Sequence, residues 1–152
     1  MQDGKRKTTT RRLLGACLAA LVALGGASAA MAQTAADMDA RLDTLFGEHA
    51  PYRGFFDKLK QAVATGDKAA VAAMVDYPFR TRVEGKAVTI RDAGHFIADY
   101  DSIVTPKVKD AVSRQAYPEL FANWQGISIG SGEIWFGGVG KRNDVKITAI
   151  NH

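Results

Sequence analysis

Hydrophobic positions change their spacing twice along the chain. Leu13 to Ala30 is an unbroken uncharged run. From Met38 to Val112 apolar residues return mostly at helical spacing. Beyond Asn123 they alternate: Ile127 and Ile129 flank Ser128, and Ile134 and Phe136 interleave with Glu133 and Trp135. That period of two marks half-buried strands. Gly130-Ser131-Gly132 lies between the two runs, where a reversal needs residues with little side-chain constraint. Gly137, Gly138 and Gly140 lead into a third run, Val145 to Ile150. The pattern predicts an antiparallel meander of three strands at the centre of the fold.

The stretch before it reads mainly as helices. Gln33 to Asp37 is small and polar and is expected to fray. Met38, Leu42, Leu45 and Phe46 mark a first helix, ended by Gly47, with Pro51 blocking its resumption. Phe55, Phe56, Leu59 and Val63 give a second, from about Arg53 to Thr65, stopped by Gly66. Asp67 caps a third, Lys68 to Asp76, with Val71, Met74 and Val75 inward and Tyr77-Pro78 at its end. Phe79 to Val83 alternates with Arg80 and Arg82, turns at Glu84-Gly85-Lys86 and is answered by Ala87 to Ile90, a β-hairpin. Asp92 caps a helix carrying Phe96, Ile97 and Tyr100. Thr105-Pro106 starts another, a capping hydroxyl before a first-turn proline, with Val108, Ala111 and Val112 as its inner stripe. Tyr117-Pro118 interrupts it, and Glu119 to Ala122 adds a short turn. Helices, one hairpin, more helices and then strands make an α+β fold, its N-terminal helices packed on a curved, mostly antiparallel sheet.

Charge gives the first stretch a different meaning. Lys5, Arg6, Lys7, Arg11 and Arg12 precede the apolar run, and Ala30-Met31-Ala32 follows it. Basic head, apolar middle and small-residue exit form the secretory pattern. Residues 1–32 are therefore expected to be a cleaved signal peptide, 33–52 an N-terminal helix and connection, and 53–152 a single α+β domain. A membrane anchor is the rival reading, but the run is rich in Ala and Gly, close to the minimum spanning length, and followed at once by the A-x-A site. Arg11-Arg12 also fits a twin-arginine export signal. Leu14-Gly15-Ala16-Cys17 makes a poor lipoprotein box, because most of the apolar stretch follows the cysteine.

Removing that segment changes the electrostatics. The chain has 20 basic and 16 acidic residues, and residues 1–32 hold five and one of these. The remainder carries 15 of each (20 − 5 and 16 − 1) and is neutral. The basic isoelectric point thus belongs to the signal and argues for no nucleic-acid partner. Cys17 is the sole cysteine, so the exported part has neither disulfide nor thiol chemistry and depends on its apolar core.

Phe56 to Pro78 carries a likeness to a known group. A helix ending in Ala62-Val63-Ala64-Thr65-Gly66-Asp67 runs directly into a second, Ala69 to Met74, and strands close the chain. This order resembles the nuclear transport factor 2-like group, in which a curved sheet and helices form a cone. The likeness is architectural, and no catalytic motif of that group's enzymes can be placed on these residues. The chain also resembles the small exported proteins of Gram-negative bacteria, which implies periplasmic or secreted localisation.

Candidate chemistry is sparse. No phosphate loop, dinucleotide fingerprint, zinc-protease motif or nucleophile elbow is present. His95 and Asp99 stand at helical i,i+4 spacing beside Asp101, an acid–base pair or a plain surface pair. Arg80 and Arg82 share a strand face, either an anion clamp or the charged outside of an edge hairpin. Tyr77, Arg80, Tyr100, Trp124, Glu133 and Trp135 are the large polar-tipped residues on or beside the strands and are expected to form one ligand-binding face. The reading is an exported binding module for a small molecule or an envelope protein, with no cofactor, metal or catalytic residue and no membrane anchor after cleavage. A homodimer is left open. The alternatives are a lyase or isomerase using a carboxylate, His or Tyr in the cone, and an immunity or inhibitor protein for an envelope-acting partner.

The exported chain is expected to begin at Gln33. N-terminal sequencing of exported protein checks this, and an uncut chain or a start ahead of Cys17 refutes it.

Overall fold

A computed structural model describes residues 32–152, which form one body. The signal-peptide and export expectations fall on residues 1–31 and lie outside the described residues. The elements are α1 (Ala35–Phe46), α2 (Ala50–Thr65), α3 (Lys68–Ala73), β1 (Phe79–Val83), β2 (Lys86–Ile90), α4 (Ala93–Ala98), α5 (Tyr100–Ile103) and α6 (Pro106–Arg114). A 3₁₀ turn, Tyr117–Glu119, then leads to β3 (Phe121–Asn123), β4 (Gly126–Ile129), β5 (Ile134–Val139) and β6 (Asp144–Ile150). The fold is α+β, with two antiparallel sheets. One is the hairpin β1–β2, and the other has four strands in the order β3–β4–β5–β6.

Several helix ends follow their sequence signals. Gly47 and Gly66 close α1 and α2 in the left-handed conformation, and the Asp67 carboxylate accepts the Ala70 N–H at the start of α3. Asp92 caps α4 through the His95 N–H. Four expectations need correction. The stretch ahead of Met38 is not frayed, because Thr34 and Asp37 form a reciprocal capping box. Pro51 does not block a helix; it sits in the first turn of α2, where its missing N–H costs nothing. The Thr105 hydroxyl makes no cap bond and is buried without a partner. The expected third helix stops at Ala73, and Val75 instead forms a parallel bridge to Ile147 on β6. Two backbone bonds, Ile147 N–H to Met74 O and Asp76 N–H to Ile147 O, fix that bridge.

The hairpin β1–β2 turns on Glu84 and Gly85, both at positive φ, the geometry that matches strand twist in two-residue loops. The larger sheet has one strand more than expected. Residues Phe121 to Asn123 are a strand and not a helical turn, joined to β4 by a two-residue turn at Trp124-Gln125. Gly126, at positive φ, follows. A Cβ there would lie 2.7 Å from the Phe136 carbonyl oxygen, so only glycine lets these strands approach.

Ala122, Ile127, Ile129, Ile134, Phe136, Ile147 and Ile150 are buried together with the helical residues Leu42, Phe55, Phe56 and Leu59. Phe136 stacks on Phe55, ring centroids 5.1 Å apart. Ile147 and Ile150 lie three residues apart yet both face inward. The pairing skips Thr148, with Phe136 opposite Ile147 and Trp135 opposite Ala149, and this bulge resets the alternation. Phe79, Phe96 and Tyr100 add an edge-to-face aromatic chain to the same core. The space between helices and sheet is thus filled with side chains.

Phe136 and Ile147 face each other in register, as their alternation predicts. Phe136→Ala is expected to cost about 3–5 kcal/mol through the cavity it leaves. Ser128→Ala, on the opposite face, should cost less than about 1 kcal/mol, as it removes one hydroxyl and opens no cavity in the core. Denaturant melts of both variants check the strand phase, and equal losses would contradict it.

Candidate functional site

With its inner face buried, the four-stranded sheet turns its other face outward. Phe121, Ser128, Trp135 and Ala149 stand in a row across β3 to β6 by strand register. Phe121 and Trp135 meet edge to face over Ser128, centroids 6.1 Å apart. They shield the serine to 4 % exposure although it lies on the outer side. Phe121 itself is 50 % exposed. Around these rings is an open cleft of about 600 Å³, walled also by Lys107, the turn Gly130 to Glu133, Asn151 and His152.

The turn is organised by one carboxylate. Glu133 Oε2 accepts the Ser131 N–H at 2.6 Å, and Oε1 lies 3.4 Å from Lys107 Nζ on α6. Asn151 braces the same turn, donating from its backbone to Glu133 O and from its side chain to Gly132 O. The Gly130 N–H is taken by Gln115 Oε1 at 2.7 Å. Gly130 is at positive φ, and a Cβ there would overlap the Glu133 carboxylate and touch Ala111, so this position requires glycine. Burial acts to raise the Glu133 pKa. The N–H groups of Ser131 and Glu133 and the Lys107 ammonium outweigh it and hold the carboxyl below its ordinary value.

The six residues expected to share one face do not. Glu133 and Trp135 wall the same cleft, but Glu133 belongs to the turn and is only 9 % exposed. Tyr100 is a core residue, 1 % exposed, its hydroxyl buried without a partner. Its helical spacing from Phe96 put it on an inner face, which outweighs its polar tip. Tyr77 is half-buried and donates its hydroxyl to Ala72 O at 2.8 Å, and burial followed by the Asp92 charge pushes its pKa up to about 12. Trp124 projects from the β3–β4 turn, 81 % exposed, away from the cleft walls. Arg80 lies in an adjoining cleft described below.

The other candidates are surface pairs. His95 Nε2 and Asp99 Oδ2 are 3.3 Å apart, both well exposed. Asp101 accepts from Lys68 at 2.7 Å and Lys109 at 3.0 Å, and these bonds lower its pKa. A network at the far end of the helices was not legible in the spacing. Asp43 bonds His49 Nδ1 at 2.8 Å, while Asp39 receives Arg53 at 3.0 Å and the Tyr117 hydroxyl at 2.6 Å. It ties α1 to α2 and to the 3₁₀ turn. Among the described residues no group of three His, Cys, Asp or Glu side chains could hold a metal ion, and no helix is long and apolar enough to cross a membrane.

Phe121, Ser128, Lys107, Asn151 and His152 are cleft residues that the alternation did not single out. Phe121 could have been found from a two-residue turn at Trp124-Gln125, whose register sets Ala122 opposite Ile127 and Phe121 opposite Ser128.

Comparison of the chain with protein-family models, curated proteins and solved structures found no match.

Glu133 contributes to stability only while ionised. Its folded pKa lies below its unfolded value, so this contribution is complete above the unfolded value and is lost as pH falls through the folded one. Glu133→Gln should therefore cost about 1–2 kcal/mol near pH 7 and progressively less toward about pH 3. Urea melts across that range check the slope; a pH-independent difference would refute it.

Proposed function

We propose that this protein is an exported binding module that takes a small ring-bearing molecule on the outer face of its four-stranded sheet. The observation that carries the reading is the Phe121–Trp135 pair standing over Ser128 in an open cleft of about 600 Å³, while the inner face of the same sheet is packed solid. Large rings with a few fixed polar groups are what a small-molecule site needs. Here Asn151, Lys107 and the Gly130–Glu133 turn supply those groups on a braced backbone. A concave, cone-like interior of the nuclear transport factor 2-like kind is the less favoured place for a ligand, since Tyr100, Phe136 and their neighbours occupy that space.

Binding is favoured over acid–base catalysis for a physical reason. A catalytic base works best with a pKa near the working pH. Glu133, the carboxylate in the cleft, is displaced the other way by its N–H donors and Lys107. It holds the turn and would accept a proton poorly. The basic head, apolar run and A-x-A site support export, and with it the periplasmic or secreted reading.

A thermal-shift panel of sugars, nucleosides and aromatic acids tests the site. Ligands found should lose about tenfold or more in affinity in Trp135→Ala and Phe121→Ala, the scale of one good aromatic contact. They should be unaffected by Trp124→Ala. Sensitivity to Trp124 alone would move recognition to the hairpin tip and favour a protein partner.

A further inference from the structure

Adjoining the aromatic cleft is a second one of about 430 Å³, walled by Arg80, Thr81, Arg82, Ala87, Ile150, Asn151 and His152. Asn151 and His152 are walls of both, so the two clefts meet along the end of β6. Arg80 and Arg82 point outward from β1, while Phe79 and Thr81 between and beside them are buried. Residues two apart on a strand share a face at roughly 7 Å.

What separates this pair from ordinary solvated hairpin charges is the wall opposite. Thr81 donates its hydroxyl to Ile150 O at 3.3 Å. His152 Nε2 donates to Arg82 O at 2.9 Å, which seats the ring against the strand. Both contacts hold the end of β6 beside β1, so the two arginines wall a concavity. Their charge is also unanswered: among the described residues, neither arginine forms an ion pair. Arg82 gives one bond, to Gly85 O at 3.1 Å. Glu133, the carboxylate of the neighbouring cleft, is held by Lys107 and the Ser131 N–H.

We propose that Arg80 and Arg82 form an oxyanion subsite, so that the ligand of the outer face carries a carboxylate or phosphate beside its ring. This rests on the aromatic cleft being the binding site. A guanidinium fork matches either oxyanion with two parallel N–H bonds, and such charged bonds are about twice as strong as neutral ones. The ring fixes one end of the ligand at Trp135 and the arginines select for charge at the other.

Calorimetric titration of the purified chain with three probes tests this: phenyl β-D-glucuronide, phenyl phosphate and phenyl β-D-glucoside. They share the ring and differ in carrying a carboxylate, a phosphate or no charge. At about 50 mM salt, where screening is modest, at least one charged probe should bind about tenfold tighter than the glucoside. The tighter of the two identifies the oxyanion. The double variant Arg80→Gln/Arg82→Gln should reduce that advantage to less than about twofold and leave the glucoside unchanged. Equal binding of charged and uncharged probes, or an advantage that survives the double variant, overturns the subsite. If in that case Trp135→Ala still weakens the glucoside, the aromatic reading stands alone. A charge advantage that depends on the arginines but not on Trp135 supports the subsite and removes the aromatic reading. Failure of all three probes to bind overturns both.

Discussion

The stack of Phe136 on Phe55 fixes the phase of β5, and most of the outer surface follows from it. Successive residues of a strand point to opposite sides. Once Phe136 is seated under α2, Trp135 must face outward, and strand register then places Ser128, Phe121 and Ala149 beside it. A slip of one residue would put Trp135 in the core and Phe136 in water. The energetic cost of that exchange is what keeps the outer aromatic pair in place. The composition of the outer face is thus set largely by what the inner face must bury.

The turn after β4 serves the same arrangement from a different direction. A reversal carries backbone groups that no strand partner can satisfy. Here a carboxylate, a glutamine side chain and an asparagine side chain take up Ser131 N–H, Gly130 N–H and Gly132 O respectively. These bonds link α6, the turn and the end of β6. The end of β6 is fastened in turn to β1 through Thr81 and His152. Both clefts therefore have walls built from segments distant in the chain but bonded to each other. Such walls hold their shape better than a loop that answers only to itself.

Much of the scaffold was legible because its signals are local. Glycines at positive φ, aspartate caps and the alternation in the hairpin and in β4 and β5 each depend on a few adjacent residues. What was missed depends on distant partners. Three-residue β3 is too short for periodicity and exists because it pairs with β4. Val75 leaves the helical pattern because β6 offers it a bridge. The Thr148 bulge hides the phase of β6 from any fixed period. Of the six residues expected on one face, Glu133 and Trp135 wall the same cleft. Tyr100 and Tyr77 were drawn to the face by their polar tips, although burial in the core and a bond to Ala72 O account for them.

The two outer edges of the sheet are closed by unlike means. On the β6 side the segment Met74 to Asp76 bridges the strand and takes both backbone hydrogen bonds of Ile147. On the β3 side α1 packs against the strand, and its Arg41 donates to Ala122 O at 2.6 Å and lies over the Phe121 ring. An open edge beside exposed aromatics is a template on which identical chains polymerise. Arg41 thus occupies a backbone acceptor of the edge strand that another chain would need, so the seating of α1 on the sheet also blunts that edge.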